Sequence, residues 1–370
     1  VMYRPIVIPP KPWTGINNGG YWSDSLKKPL IRNNPKVSNR THGPAVMPKV
    51  YEAVNKVQAT PFKINKFVLN VAQALADTDI CFPEFFEELP ERPHNERTKN
   101  LYATIEECMN TLGITQELRK EKGSSFRDWY REYLDSITDG ELLKAKHLYE
   151  ETRFKIVQYA KWRTEMTSKK SKNRVIKAAL DTAEEYKEYP EIYLPHNYDW
   201  RARMYPICAS GVTTQGVCLQ KALIKFNKGK ALIESEYPEE ALEWLKVHLA
   251  NSYGLDKASW FDRIEWVDQN KELIQSIAKN PLDNVDLWKS TDDPWLFLAA
   301  CEQMQKVYEN GLFASVDIPI PQDGTCNGAQ HYSAMTRDLT GAFSVNVAPN
   351  GTQGLQERLD ALRENRQCPI

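Results

Sequence analysis

No two of the seven cysteines (81, 108, 208, 218, 301, 326 and 368) stand in a Cys-x-x-Cys pair, and the six histidines are scattered with no His-Glu-x-x-His. That lack argues against a zinc site, and an odd count without regular spacing argues against a disulfide framework; the thiols read as reduced and intracellular. Long apolar runs are also missing. The longest, Trp295 to Cys301, falls far short of the roughly 20 residues that span a bilayer. No basic-then-apolar leader opens the chain, so neither secretion nor membrane insertion is expected. Repeats and low-complexity tracts are absent as well.

What remains is an ordinary globular composition, with 41% hydrophobic and 26% charged residues in 370, enough for two or three domains. The net charge of −1 conceals an uneven distribution. Residues 1–72 carry 11 Lys and Arg against only Asp24 and Glu52, and 151–230 carry 16 basic against eight acidic residues. The stretches 73–150 and 231–370 are acidic. Two basic blocks in a neutral chain point to one surface that faces a polyanion. Val1 in place of Met, and Cys368-Pro369-Ile370 directly after an amphipathic stretch, lead to the expectation that neither end is natural.

Pro, Gly and Asn crowd the first 45 residues, which predicts loops and short extended pieces. Thr60-Pro61 predicts a helix start, with Ile64, Phe67, Val68, Val71 and Leu75 forming its buried face. Helical spacing also covers about 101–112, 141–165, 172–187, 238–250, 258–279 and 294–309. Strands are expected weakly at Glu191–Leu194 and more clearly at Phe313–Ile320. A tight turn at Asp323-Gly324 and a helix over Cys326–Arg337 follow.

Strand, acidic turn and helix together make Asp323-Gly324-Thr325-Cys326-Asn327-Gly328 the most suggestive segment. A carboxylate at a strand end can coordinate Mg²⁺, and the Gly324 carbonyl can add a second oxygen. The same residues also fit a plain Asp-Gly turn with a helix cap. In Asp199-Trp200-Arg201-Ala202-Arg203-Met204-Tyr205, two arginines two apart on an extended piece would share a face and could clamp phosphates. Tyr205 would offer a flat surface to a base or sugar. A surface ion-pair cluster with Asp199 is the alternative. Lys161, Arg163, Lys169, Lys170, Lys172, Arg174 and Lys177 form the densest basic run, suited to tracking a nucleic-acid backbone or simply to solvent. Lys221, Lys225, Lys228 and Lys230 follow the arginine motif and would extend its surface. Trp13 and Trp22 read as anchors of a packed loop, and Cys326 with His331 does not read as a nucleophile pair.

Four segments in order, PPKPWTGINNGGYW, KINKFVLNVAQALAD, PHNYDWRARMYP and QDGTCNGAQHYSAMTRD, resemble those of the single-subunit, phage-type DNA-directed RNA polymerases of T-odd bacteriophages and, more distantly, mitochondria. The likeness runs from Tyr3 to about Val347, and the 124-residue separation of Asp199 from Asp323 is similar too. The resemblance implies a mainly α chain with a small β palm (α+β), an incomplete right-hand polymerase fold lacking the fingers and the rest of the palm. By similarity, residues 1–95 would close an N-terminal promoter- and template-binding domain, and 96–190 would be the thumb. Residues 191–230 and 311–341 would be palm, 231–310 an insertion in it, and 342–370 the divergent start of the fingers.

The resemblance further implies that Asp323 is the catalytic ligand of two Mg²⁺ ions, with the Gly324 carbonyl beside it. Arg201, Arg203, Tyr205 and Lys221 would contact template, hybrid and nucleotide. Partners would be a DNA template, nascent RNA and NTPs, with a second chain supplying fingers and second aspartate if the enzyme is split. The setting would be the host cytoplasm. Ala202 stands where the family has glycine, the tail after Asn346 departs from the pattern, and members run to more than twice this length. The chain alone is therefore expected to make no RNA; a split-polymerase subunit and a non-catalytic nucleic-acid-binding remnant are the other readings. A DNA polymerase of the same architecture is disfavoured by the small Gly324 and Thr325, where such enzymes carry a bulky acidic residue.

Overall fold

The structure, a computed structural model, describes residues 3–32, 38–199, 201, 203–208, 211–322, 326–345 and 347–348. Helices dominate, joined by four two-stranded antiparallel sheets among the described residues. The α+β class expected from the sequence is therefore present. Among the described residues no helix is long and apolar enough to cross a membrane. Two compact units divide the chain: residues 1–80 with 178–370, and residues 81–177.

The larger unit is built around the helix Pro294–Asn310. Trp295, Phe297, Leu298, Ala300 and Cys301 are all fully buried there, so the first half of the helix is apolar on every side, as a central core segment must be. Pro294 at its first turn and Gly311 after its end, at φ 56°, mark its limits as the sequence predicts. The helices Cys218–Ala222, Pro238–Ala250, Lys271–Lys279 and Lys66–Ala76 pack against it. The stretch expected as one helix over 258–279 is two, Trp260–Gln269 and Lys271–Lys279, divided at Asn270.

The helix predicted from Thr60-Pro61 starts later. Phe62–Ile64 is a strand, paired Phe62↔Phe226, Lys63↔Lys225 and Ile64↔Ile224, with Phe62 also exchanging both backbone hydrogen bonds with Ile192. Those pairings override the local Thr-Pro signal. Asn65 is the true N-cap of Lys66–Ala76: its buried side chain accepts from the Val68 N–H at 3.4 Å and donates to the Ala222 carbonyl at 3.1 Å. The strand expected at Phe313–Ile320 shrinks to Ser315–Val316, paired with Lys230–Ala231. Pro319 and Pro321 have no N–H to give a ladder, which explains why pairing stops.

At the N-terminus the strands Lys11–Gly15 and Asn18–Gly20 form a hairpin around Trp13. Trp13 is 2% exposed and donates from its indole N–H to the His196 carbonyl at 2.9 Å. A Cβ on Gly19 would lie 2.4 Å from the Trp13 ring, so glycine is required by close approach. Trp22, by contrast, is 55% exposed and is no buried anchor, although its indole reaches the Pro9 carbonyl.

The smaller unit holds the helices Thr98–Thr111, Gln116–Lys122 and Phe126–Ser136, and residues 140–177 of the helix Gly140–Tyr186. Leu112, Ile114 and Leu134 form its small core, lined by Met109, Tyr130 and Tyr133. The two helices expected at 141–165 and 172–187 are one of 47 residues, about 70 Å long. Nothing from Thr164 to Lys172 is Gly or Pro, so no residue breaks it. The loop before these helices is tied to the long one by Trp162, whose indole donates to Pro90, and by a reciprocal pair between Asn173 and the Glu87 backbone at 2.9 Å.

Candidate nucleic-acid interface

The arginine motif sits on a hairpin, His196–Tyr198 paired with Met204–Pro206 in the register Asn197↔Tyr205. Its inner face rests on the cluster of Trp13, Ile16, Leu30, Ile31, Tyr51 and Val54, against which Tyr198, Met204 and Ile207 pack. Asp199 organises the turn. Its Oδ1 accepts from the Arg201 N–H at 2.8 Å and the Arg203 N–H at 3.1 Å, its Oδ2 takes the Arg201 Nε at 3.2 Å, and its own N–H donates to the Arg203 carbonyl at 2.9 Å. Burial alone would raise the Asp199 carboxyl; the Arg203 and Arg201 backbone donors and the Arg201 guanidinium outweigh it and hold the group below its ordinary range.

Both arginines are exposed, but Arg201 lies in the turn and not on an extended piece as the sequence reading had it. The ion pair Asp199–Arg201 is present. The Arg203 guanidinium makes no ion pair with a described residue. Tyr205 is half-buried, with the Arg32 guanidinium 5.4 Å from its ring centroid, so one face of the ring already carries a cation. Trp200 and Ala202 lie outside the described residues.

Lys221 lies half-buried on the short helix Cys218–Ala222 and forms no ion pair among the described residues. Its charge acts on His248, whose ring is pushed down to about 4, chiefly by burial and then by Lys221. His248 is 3% exposed and its Nε2 has no hydrogen-bond partner among the described residues. Because the folded pKa is below the unfolded one, the unfolded chain binds the extra proton first. Stability is therefore full above about pH 6.5 and falls as pH drops toward 4, by on the order of 3 kcal/mol. His196, also lowered by burial, adds in the same direction. Urea titrations at pH 7 and 4.5 are expected to show a smaller acid loss for His248→Gln than for the parent chain; equal losses would remove His248 from the account.

Lys225 does not extend the basic surface. It is 6% exposed and its Nζ lies 2.8 Å from Glu302 and 3.6 Å from Asp317. Lys63 contacts the other Asp317 oxygen at 2.9 Å, and Lys306 bonds Glu302 at 3.3 Å. Burial would raise Asp317, but Lys225 first, then Lys63 and Lys306, hold it below the carboxylate range. The Asp317 backbone is fixed as well: its carbonyl accepts from Phe226 at 2.8 Å and its N–H donates to Gln303 at 3.3 Å. This buried cluster anchors the chain six residues before Asp323. Sequence reasoning missed it because its five members come from four separate segments, with no local signal beyond a lysine inside an apolar run at Leu223–Phe226.

Asp323, Gly324 and Thr325 lie outside the described residues. The helix that follows, Asn327–Thr336, is where the spacing predicts it. Among the described residues no three His, Cys, Asp or Glu side chains gather as a metal site would require.

In the smaller unit the dense basic run, apart from the exposed Lys161 on another side of the helix, is of two kinds. Lys169 is paired with Glu165 at 3.0 Å and Lys172 with Glu87 at 2.6 Å. Arg163, Lys170, Arg174 and Lys177 are exposed, have no ion pair among the described residues, and fall at spacings of 7, 11 and 14 on one side of the helix. That stripe is an unneutralised cationic face about 21 Å long.

A family model described as DNA-dependent RNA polymerase matches residues 235–354. Over 357 residues, 95% of this chain and 34% of the relative, the chain is 33% identical to T7 RNA polymerase of Escherichia phage T7. It is 31% identical to the DNA-directed RNA polymerase of Enterobacteria phage K11 over 95% of its own length and 33% of the relative's. The mitochondrial DNA-directed RNA polymerase of Neurospora crassa is 30% identical over 94% of this chain and 21% of its own length. The chain thus spans about one third of the length of the phage relatives it matches.

Proposed function

We propose that this chain, related along nearly its whole length to a segment of the single-subunit RNA polymerases of phages and mitochondria, is part of a DNA-directed RNA polymerase. The observation that carries this reading is the likeness to phage polymerases over 95% of the chain. Four motifs in family order and the cationic stripe on the long helix support it. In this reading the chain folds as part of a right hand. The separate unit 81–177 supports a thumb over about 96–190, residues 191–230 and 311–341 contribute palm with 231–310 inserted, 1–95 belong to the promoter- and template-binding domain, and 342–370 begin the fingers. The enzyme takes a DNA template, nascent RNA and NTPs, and acts in the host cytoplasm if its source is a phage.

Asp323 and the Gly324 carbonyl would hold Mg²⁺. One carboxylate and one carbonyl are a fitting part of a Mg²⁺ shell, which completes itself with a further carboxylate, water and substrate phosphates. Two such ions supply Lewis-acid activation of the 3′-hydroxyl and stabilise the leaving pyrophosphate. The chain's own residues bind and orient. Arg203 and Arg201 are presented to phosphates by the Asp199-clamped turn, Tyr205 offers a ring face to a sugar or base, and Lys221, without an ion pair among the described residues, supplies its charge to a nucleotide or backbone phosphate. One aspartate cannot hold two ions, and the family likeness offers no match within these residues for the second palm aspartate.

The isolated chain is expected to bind a primed DNA template with an affinity that falls steeply with salt, each neutralised duplex phosphate adding about 0.9 to the log–log slope. It is expected to extend no primer. Absence of binding at low salt, or robust Mg²⁺-dependent elongation by the chain alone, would each contradict this reading.

A further inference from the structure

The smaller unit carries a second cationic feature, in a stretch that none of the four family motifs covers. Arg127 and Arg131 lie one turn apart on the helix Phe126–Ser136, Arg119 projects from Gln116–Lys122, and Arg153 stands on the long helix. All four line one open concavity of about 510 Å³, floored by Tyr130 and the buried Tyr149. Burial and Tyr149 raise the Tyr130 phenol while Arg153 and Arg119 oppose them, which puts both guanidinium groups within Coulombic reach of one hydroxyl.

None of the four arginines has an ion-pair partner among the described residues. Arg119 reaches only the Met109 sulfur, at 3.1 Å, and its guanidinium covers the Phe126 ring at 5.5 Å. Two carboxylates share the rim, Glu150 and Asp135, and Asp135 faces Lys146 at 3.9 Å. The concavity is thus left with an excess of positive charge from groups whose planar forks suit phosphate oxygens. Guanidinium groups gathered around one indentation repel one another, and a bound anion relieves that repulsion.

We propose that this concavity binds the backbone phosphates of a single nucleic-acid strand. Its volume of about 510 Å³ is that of a small-ligand site, room for about one nucleotide unit of a strand. The open rim lets a strand enter and leave, while the Tyr130 ring, stacked on Phe126 and edge-on to Tyr149, holds the floor rigid beneath the guanidinium groups. The site is confined to the unit 81–177 and stands independently of the polymerase reading.

The test uses the full 370-residue chain with a fluorescent dT12 oligonucleotide, and with inorganic pyrophosphate as the small-anion arm. Phenylglyoxal modification followed by peptide mass spectrometry reads the site locally. Arg127 and Arg131 are expected to be modified in the free chain and protected by dT12. The double variant Arg127→Gln/Arg131→Gln, both positions exposed and its fold checked by circular dichroism, is expected to weaken dT12 binding about tenfold. Its log–log salt slope should fall by about 0.7 to 1.4, one or two single-strand phosphates' worth. Unchanged affinity and slope in the variant, or no protection of either arginine by dT12, would overturn the proposal. Protection by pyrophosphate at concentrations where dT12 gives none would overturn the strand as occupant.

Discussion

Lys225→Ala is expected to lower the unfolding free energy of the larger unit by about 3–5 kcal/mol, the usual cost of leaving buried charge without its partner. Lys225 is 6% exposed and bridges Glu302 at 2.8 Å and Asp317 at 3.6 Å. Truncation would leave two carboxylates with Lys63 and Lys306, both further from full burial, so the lower part of that range is the better expectation. Lys225→Met keeps the volume and should cost almost as much, because the loss is one of charge compensation and not of packing. Adding Glu302→Gln to Lys225→Met should recover part of it, since the charge left behind is then removed. Urea unfolding of Lys225→Met, of Glu302→Gln and of the double variant measures this coupling. A cost below about 1 kcal/mol for Lys225→Ala would mean that the cluster behaves as a solvated surface pair.

The second large effect concerns chemistry. In the complete polymerase that the family likeness implies, Asp323→Asn should cut nucleotide incorporation by about a thousandfold or more. Asparagine keeps the shape and one oxygen but removes the negative charge that a divalent ion requires. Metal-ion stabilisation of the developing charge is worth several kcal/mol, and each 1.36 kcal/mol is a factor of ten in rate. Template affinity should stay within about twofold, because duplex binding rests on the cations that meet backbone phosphates and not on this carboxylate. Parallel loss of incorporation and template binding would assign Asp323 a structural role instead.

How far the sequence disclosed this differs from element to element. The buried helix Pro294–Asn310 was legible because helical spacing runs from about 294 to 309 and a glycine follows it. The hairpin around Trp13 was legible as a packed loop, though not that its indole would hold the backbone beneath the arginine motif. Thr60-Pro61 misled because strand pairing with Ile192 and Lys225 lies more than a hundred residues away and cannot be read locally. The Asp199 clamp was half visible: an ion-pair cluster was one of the two expected readings, while its backbone bonds follow only from the turn. The ion cluster of Lys63, Lys225, Glu302, Lys306 and Asp317 was invisible, since burial turns a surface-type lysine into a structural one without changing its letter. Within the basic run, sequence gave the charge but not its distribution. Ion pairs neutralise Lys169 and Lys172, and helical phase leaves Arg163, Lys170, Arg174 and Lys177 together.

The central claim is tested most directly by nucleotide incorporation on a DNA template by the complete polymerase, with ribonucleotides and deoxynucleotides in competition. The account predicts Mg²⁺-dependent RNA synthesis that requires the template and prefers ribonucleotides, consistent with the small Gly324 and Thr325 beside Asp323. Preference for deoxynucleotides, or synthesis that ignores the template, would contradict it.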